Sequence, residues 1–370
     1  MVMGLFFLRG MSFAKWHELG LLDREKLVYE KHLAEGTISK VYCFTYGAYD
    51  ANYSHLIHED LIIISMPIFF NSKIGINIYS FLLPIIKFKH IKKCDILKND
   101  QMDGSWSAVI AKIFFRKKLL IRTGFTLSVF MNRKGSKVKE LIAILMESFA
   151  YYFCDFATVS SKHSKLYIMH KYNLKDKDIS VLYNYINVDK FNILKSGYKN
   201  DRLLFIGRLD QQKNLVNLFY ALNGLDVGID LYGDGTLKND LMALSKVIGI
   251  DARFMGKVSN AQMPEVMNKY KYYILPSLYE GMPKTLIEAM CCGLICMGTD
   301  TLGINEVINN KNGYLIPSTN ASDISKVIIN VIKNNKITNI DTSERVFCRD
   351  LYSLDRYTSK ESKILSNLVQ

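Results

Sequence analysis

The chain has 370 residues, of which 49% are hydrophobic and 22% charged, a composition that excludes a disordered protein and allows two packed domains. Seven cysteines without a Cys-x-x-Cys pair argue against a disulfide framework or a zinc site and favour a reducing compartment. The net charge of +13 suggests nucleic-acid binding as one function to consider. The basic residues, however, are not interleaved with aromatic ones and match no nucleic-acid-binding module. We expect no nucleic-acid partner.

The sequence offers no clear export or membrane-spanning segment. Residues 1–8 are apolar but lack a cationic start and a small-residue cleavage site, so they are interpreted as a first buried strand. The apolar stretch at 61–86 is interrupted by polar residues between 71 and 77, which leaves no run of about 18 apolar residues. A cytoplasmic location is therefore expected.

The positive charge is concentrated in the first half of the chain. Residues 1–180 contain 26 Lys and Arg against 16 Asp and Glu, whereas residues 181–370 contain 22 against 19. Two interpretations remain open: a face that meets anionic headgroups at the inner face of the membrane or a phosphorylated substrate, or solvated helix faces. The excess lies in three clusters: Lys87, Lys89, Lys92, Lys93; Lys112, Arg116, Lys117, Lys118; and Arg133, Lys134, Lys137, Lys139.

Predicted strands and helices alternate along the first half. Short apolar runs bounded by turn residues predict the strands, and longer periodic segments predict the helices. The strands are expected at residues 5–8, 40–45, 61–65, 94–97, 119–121 and 157–160, and the helices at 23–35 and 137–153.

The second half shows the same alternation more clearly. Its strands are expected at residues 203–206, 229–232, 253–255, 272–275, 294–297 and 314–316. Its helices are expected at 215–222, at 237–248, from a capping box at Ser259 and Gln262, and at 284–292 with Gly293 as the stop. Strand–helix repetition of this kind predicts a doubly wound parallel sheet with ligands at the carboxyl ends of its strands.

The architecture inferred is therefore α/β with two Rossmann-like domains. We expect an N-terminal domain at 1–184, a C-terminal domain at 185–350, and the active site in the cleft between them. Residues 351–370 are expected to form a helical segment; the sequence leaves open where it packs, and packing back on the first domain is one option.

Two cations stand in a predicted strand-to-helix turn. Gly207 permits close backbone approach of a ligand, and Arg208 can donate two hydrogen bonds to phosphate oxygens. Lys213 adds a point charge, and a helix opening at Asn214 adds free N–H groups. This combination favours an anion site, although two basic residues at a turn are often only solvated surface.

Two further strand ends carry candidate ligand groups. Gly233 and Asp234 begin a turn after the strand at 229–232. The stretch from Glu280 to Glu288 spans a loop and the first turns of a helix, where N–H groups near Gly281 and Met282 are free to bind oxygens. A carboxylate suits a ribose diol, but 13 glutamates in 370 residues make the spacing alone close to a chance occurrence.

Read in order, these motifs resemble the retaining glycosyltransferases of family four. The similarity covers the turn at 207–214, Gly233-Asp234-Gly235, and the segment 280–289. It extends to the interdomain segment 184–191 and to the glycine loop and following strand at 302–317. The resemblance implies the GT-B fold, in which two doubly wound domains face each other across a cleft.

The same resemblance implies roles for individual residues. Arg208 and Lys213 would bind the donor diphosphate and stabilise the leaving phosphate, Glu280 would contact the donor sugar, and Glu288 would hold the ribose. The remaining donor contacts would come from the backbone or from flanking positions: Gly207, Gly233, Asp234, Gly281, Met282, the loop at Gly303, and Lys257 and Val258 beside the base. No cofactor and no metal are expected, and Asp234 is not expected to bind a metal.

The acceptor side departs from the better-known pattern. Only Gly10 and its neighbours stand where the family has a glycine-rich loop after the first strand, and the acceptor-side histidine of some members has no clear equivalent. Asn99 and Arg122 follow other predicted strands and are the remaining acceptor candidates.

The function expected is transfer of a sugar from a UDP- or GDP-sugar to a glycan, either free or lipid-linked, in bacterial cell-surface polysaccharide synthesis (O-antigen, capsule or lipopolysaccharide). The alternatives are a GT-B relative with other chemistry, such as a nucleotide-sugar epimerase or a phosphorylase, and an inactive sugar-binding protein. The presence of Arg208, Lys213, Glu280 and Glu288 together argues against an inactive protein.

Overall fold

The computed structural model describes residues 1–133, 135–194, 200–309, 311–334 and 342–369, so Lys134 of the third basic cluster lies outside the described residues. The chain divides into two compact units. The N-terminal unit comprises Met1–Tyr183 together with the chain from Tyr357 onward, and the C-terminal unit comprises Asn184–Arg356.

The N-terminal unit contains a fully parallel sheet in the order β3-β2-β1-β4-β5-β6-β7. Six of its strands were predicted to within a few residues, and β7 was missed because it is only three residues long. The strands are β1 (Val2–Phe6), β2 (Lys40–Phe44), β3 (Leu61–Ile64), β4 (Ile96–Asn99), β5 (Lys118–Thr123), β6 (Phe156–Val159) and β7 (Ile179–Val181).

Helices connect these strands. They are α1 (Phe13–Glu18), α2 (Leu22–Glu25), α3 (Leu27–Ala34), α4 (Lys73–Ile86), α5 (Phe88–Ile91), α6 (Ser105–Phe115), α7 (Leu127–Arg133), α8 (Lys137–Phe153) and α9 (Lys162–Tyr172). The bounds predicted for α8 are confirmed, whereas the single helix predicted at 23–35 is divided into α2 and α3. No helix among the described residues is long and apolar enough to cross a membrane.

The C-terminal unit contains a second parallel sheet in the order β10-β9-β8-β11-β12-β13. All six strands were predicted. They are β8 (Asn200–Ile206), β9 (Ile229–Tyr232), β10 (Ala252–Gly256), β11 (Tyr270–Leu275), β12 (Ile295–Thr299) and β13 (Tyr314–Ile316).

The helices of this unit follow the predicted alternation with two corrections. The helix expected to open at Ser259 begins four residues later, because the Ser259 hydroxyl bonds to the Gln262 side chain instead of capping the helix. Residues 321–334 and 342–351 form helices that were not predicted. The helices are α10 (Leu215–Leu222), α11 (Lys238–Val247), α12 (Met263–Asn268), α13 (Lys284–Cys291), α14 (Ala321–Asn334) and α15 (Thr342–Leu351).

The strands read as continuous apolar runs because parallel sheets are covered on both faces. In β8, for example, Leu203, Leu204 and Phe205 are fully buried. Cys291, Cys292 and Cys296 form no disulfide and are buried as expected, and burial raises the pKa of the Cys291 thiol to about 12. These cysteines therefore act as small apolar residues of the core.

A last helix, α16 (Leu354–Val369), belongs to the N-terminal unit from Tyr357 onward. Its Glu361 is fully buried and accepts hydrogen bonds from the Lys98 ammonium at 2.7 Å and from the Tyr357 hydroxyl at 3.3 Å. The His32 Nε2 lies 2.9 Å from the second carboxylate oxygen. A buried charge is costly unless it is paired and hydrogen-bonded. Because Glu361 and Lys98 supply each other's partner, this network holds α16 against the sheet.

Candidate active site

The order of strands in the C-terminal sheet reverses between β8 and β11, which are neighbours although two other strands separate them in the chain. The loops that follow these two strands therefore lie side by side at the carboxyl edge of the sheet. This switch point is where open α/β sheets bind ligands.

Lys213 follows β8 and Glu280 follows β11, and their side chains form an ion pair at the switch point. The Nζ atom of Lys213 lies 2.5 Å from Oε1 of Glu280, and the two side chains are only 12% and 9% exposed. Partly buried charges interact more strongly than charges in water. Two of the three residues predicted to be catalytic are thus brought together.

The loop that carries Lys213 is held in place by neighbouring polar groups. Asn214 adopts a left-handed conformation with φ of 55°, which asparagine tolerates better than most residues. Its buried amide donates to the carbonyl oxygens of Pro276 and Thr319. The Gln212 amide donates to the carbonyl oxygen of Tyr279 at 2.9 Å, directly before Glu280. The two loops are therefore tied together by side chain and backbone.

Arg208 is more exposed than Lys213. Its side chain is 65% exposed and lies 3.0 Å from the Asp210 carboxylate. It also donates to the Gln212 side-chain oxygen at 3.3 Å. Gln212 thus connects Arg208 to the loop of Glu280. An arginine in this position is free to redirect its donors toward an incoming anion at small cost, because a surface ion pair contributes little.

The glycines of the site bring backbone segments into close approach. A Cβ atom on Gly233 would lie 1.8 Å from the carbonyl oxygen of Gly207, so no side chain fits there. A Cβ atom on Gly303, where φ is 86°, would lie 2.6 Å from the carbonyl oxygens of both Glu280 and Gly281. The glycine loop predicted at Gly303 therefore packs directly over the backbone of Glu280.

The segment after Glu280 leads into α13. Met282 is buried, and Pro283 lies one position before the first helical residue. Glu288 is 2% exposed on the buried side of α13. The predicted ribose carboxylate is therefore buried more deeply than Glu280, whose side chain keeps 9% of its exposure.

The residues predicted to lie beside the base are at the end of β10. Gly256 has a left-handed φ of 76°, and its carbonyl oxygen accepts from the backbone N–H of Gly233. Lys257 is exposed, its Nζ lies 4.0 Å from the Asp234 carboxylate, and Val258 is half-buried. No group of three His, Cys, Asp or Glu side chains suited to a metal occurs among the described residues.

Two acceptor candidates serve the architecture of the N-terminal unit. The Asn99 side-chain oxygen accepts from the backbone N–H of Arg122 at 2.6 Å, and its amide donates to Gln101. The Arg122 guanidinium donates to the Tyr357 hydroxyl at 3.0 Å. Asn99 links the ends of two strands, and Arg122 links the sheet to the last helix. The positions of these residues in the sequence do not reveal these contacts.

The third acceptor candidate, Gly10, lies in a loop after β1 that also contains Arg9. The Arg9 guanidinium pairs with Asp103 at 3.1 Å, donates to the Asn77 side chain at 2.5 Å, and stacks on Trp106. The sequence prediction did not include Arg9, although a basic residue in the loop after a central strand is the signal that selected Arg208.

The first turn of α1 is already capped from inside the protein. The Asp50 carboxylate, which is fully buried, accepts from the backbone N–H groups of Phe13 at 2.9 Å and Ala14 at 3.2 Å. The Ser12 hydroxyl accepts from the backbone N–H of Lys15. An internal carboxylate thus occupies the place that an external anion would take at a helix start.

Comparison with known proteins places these features in context. Residues 189–345 match the family model described as Glycosyl transferases group 1. An uncharacterized glycosyltransferase of Methanocaldococcus jannaschii is 26% identical over 296 residues, which are 70% of this chain and 71% of that protein.

A second relative is N-acetylgalactosamine-N,N'-diacetylbacillosaminyl-diphospho-undecaprenol 4-alpha-N-acetylgalactosaminyltransferase of Campylobacter jejuni. It is 24% identical over 267 residues, which are 69% of this chain and 73% of that protein. Among solved structures, Anabaena HepE in complex with UDP superposes with a TM-score of 0.78 at 17% identity and covers 100% of both chains. That likeness shows the fold, which is the predicted α/β GT-B fold.

Proposed function

We propose that this chain, whose residues 189–345 match the group 1 glycosyl transferases, transfers a sugar, with retention of configuration, from a UDP- or GDP-sugar to a glycan acceptor. The acceptor proposed is a lipid-linked intermediate of a bacterial cell-surface polysaccharide, assembled at the cytoplasmic face of the membrane. The relative from Campylobacter jejuni, whose name specifies a diphospho-undecaprenol acceptor, supports that class.

The observation that carries the proposal is the ion pair of Lys213 and Glu280 at the switch point of the C-terminal sheet. The Lys213 ammonium would bind the donor diphosphate, and the neighbouring Glu280 carboxylate would accept hydrogen bonds from hydroxyls of the donor sugar. Arg208, 65% exposed, would add a bidentate contact to the same phosphates.

The remaining donor contacts follow from the same edge of the sheet. Glu288 would receive the ribose hydroxyls at the base of the site, and the loop at Gly303 would approach the sugar. Lys257 and Val258 would flank the base. The backbone at Gly207, Gly233 and Gly281 would line the phosphate path.

The proposed reaction breaks the bond between the anomeric carbon and the donor phosphate oxygen. The acceptor hydroxyl attacks the anomeric carbon on the face from which the phosphate leaves. It forms the new glycosidic bond and gives its proton to the leaving phosphate. Lys213 and Arg208 would stabilise the negative charge that develops on that phosphate. Because these two cations can neutralise the charge on the leaving phosphate, we propose no role for a metal or a cofactor.

A donor screen tests this proposal. Purified protein is incubated with individual UDP- and GDP-sugars, and both hydrolysis and transfer are followed. Glu280→Ala and Lys213→Ala are compared with Lys246→Ala, which removes an exposed lysine of α11. We expect turnover of one donor to fall at least about tenfold in the first two variants only. If neither variant lowers turnover of any nucleotide sugar, the assigned site is wrong.

Product analysis tests the stereochemistry separately. The anomeric configuration of the first-formed product is compared with that of the donor by NMR. The same configuration is expected, and an inverted product contradicts retention without affecting the assignment of the donor site.

A further inference from the structure

Helix α4 of the N-terminal unit is apolar on both of its faces. Its inner face packs against the protein through buried residues that include Tyr79 and Leu83. Its outer face carries six large apolar side chains that are all exposed: Ile74, Ile78, Phe81, Leu82, Ile85 and Ile86. Helices on the surface of a water-soluble domain normally present polar residues to solvent. We call these six side chains the α4 surface.

The α4 surface continues into the residues around it. Phe69, before the helix, is 76% exposed, and Phe88, after it, is also exposed. Helix α6 packs beside α4, and its Ile113 and Phe114 are exposed as well. Such a concentration of exposed apolar side chains on α4, its flanking residues and α6 is typical of an interaction site.

The segments that contain and follow the helices of this surface are basic. Residues 61–94 contain five lysines and no acidic residue, and residues 104–139 contain nine basic residues and no acidic residue. Lys89, Lys92 and Lys93, which follow α4 directly, are exposed. An apolar face bordered by lysines complements a membrane with anionic headgroups, which takes apolar side chains inside and attracts lysines outside.

The α4 surface adjoins the loop after β1. Asn77, on the exposed side of α4, accepts a hydrogen bond from Arg9, which precedes Gly10. A lipid-linked acceptor held at the membrane would therefore emerge beside the acceptor candidate Gly10.

We propose that the α4 surface inserts into the interfacial layer of a membrane that contains anionic lipid, with the neighbouring lysines at the headgroups. This deepens the proposed function, on which its biological purpose rests, by assigning the surface that meets the lipid carrying the acceptor. A second copy of the chain fits less well, because a two-fold interface would bring these lysines against each other.

Vesicle co-sedimentation tests the proposal without donor or acceptor. Wild-type protein is mixed with phosphatidylcholine vesicles, with or without phosphatidylglycerol, at low and high salt. One variant combines Ile74→Asn, Ile78→Asn and Ile85→Asn, and a second combines Lys89→Gln and Lys92→Gln. The matched control combines Lys246→Gln and Val247→Asn on α11, where both side chains are exposed.

We expect wild type and control to bind vesicles containing phosphatidylglycerol, and the isoleucine variant to bind at least about tenfold more weakly. The lysine variant is expected to lose most of the preference for phosphatidylglycerol, and high salt to have the same effect on wild type. Circular dichroism and hydrolysis of the donor should not change in either variant, which separates lost membrane binding from misfolding or a wrong donor site.

Three results would overturn the proposal. Wild type that binds neither kind of vesicle excludes the lipid surface, and an isoleucine variant that binds like the control excludes α4. A wild-type dimer in sedimentation velocity that the isoleucine variant abolishes assigns the α4 surface to a second copy instead. Donor turnover by the wild type stays measurable in each case, so the proposed function is judged separately.

Discussion

Lys213 and Glu280 are 67 residues apart in the chain, yet Nζ of one lies 2.5 Å from Oε1 of the other. The contact joins the loops after β8 and β11, which the reversal of strand order places side by side. A cation for phosphate and a carboxylate for sugar hydroxyls thus share one edge of the sheet. The two residues should have separable effects on binding.

Glu280→Ala should weaken binding of the nucleotide sugar more than binding of the free nucleotide. Glu280 is proposed to contact only the sugar, and its removal leaves the charge of Lys213 available to the diphosphate. Isothermal titration with the nucleotide sugar and with its nucleotide should give at least about a tenfold loss for the first and no loss for the second. An equal loss for both ligands would contradict the role assigned to Glu280.

Gln212→Ala should lower kcat/KM for the donor about tenfold, because Gln212 links Arg208 to the backbone of Tyr279. We assign it a positioning role, so KM should rise more than kcat falls. Gln211→Ala, which removes an exposed neighbour, is the matched control. If Gln212→Ala and Gln211→Ala have the same kcat and KM, the link that Gln212 makes between Arg208 and Tyr279 does not contribute to activity.

Gly233→Ala should destabilise the C-terminal unit by about 3 kcal/mol or more, because the added Cβ would meet the carbonyl oxygen of Gly207 at 1.8 Å. Gly224→Ala provides the comparison, since Gly224 also has a positive φ but nothing lies within 4 Å of its Cβ position. It should cost only about 1 kcal/mol. Chemical denaturation measures both, and similar losses would contradict the close approach.

Glu361→Gln should destabilise the protein by about 3 to 5 kcal/mol at pH 7, because it leaves the Lys98 ammonium buried without its carboxylate. Glu265→Gln, which changes an exposed glutamate of α12, should have little effect. Urea denaturation of both variants distinguishes a stabilising network from incidental packing.

The same carboxylate should make stability depend on pH in acid. Burial alone raises the pKa of Glu361, but the charge of Lys98 and the bond to His32 outweigh it and lower the pKa from 4.5 to about 2. A depressed pKa stabilises the fold above pH 4.5, and that contribution is lost as pH falls from 4.5 towards 2. Glu361→Gln should lack this part of the pH profile, and an unchanged profile would contradict the assignment.

Much of the fold follows from the sequence because buried parallel strands and their connecting helices have distinct patterns. All six strands of the C-terminal sheet were predicted, and the bounds of α8 and α10 were predicted to the residue. Residues 179–181 were missed because three residues carry no measurable periodicity. The start at Ser259 was wrong because its hydroxyl bonds to a side chain, a choice that the local sequence does not determine.

Sequence position indicated which residues follow the strands, and the family resemblance supplied their proposed roles. Lys213 and Glu280 were selected in this way, and the structure brings their side chains together. Which loops lie side by side depends on the order of the strands in the sheet, which the sequence does not show. The hydrogen bonds by which Gln212 connects Arg208 to Tyr279 could therefore not be predicted. Asn99 and Arg122 follow strands as functional residues often do, but they are engaged in linking the sheet and α16.

The most direct test of the donor site is a titration of UDP and GDP into wild-type protein, Lys213→Ala and Lys246→Ala. Wild type should bind one of the two nucleotides, Lys246→Ala should match it, and Lys213→Ala should bind at least about tenfold more weakly, because the diphosphate loses its partly buried cation. Equal affinity of wild type and Lys213→Ala for the nucleotide would contradict the account.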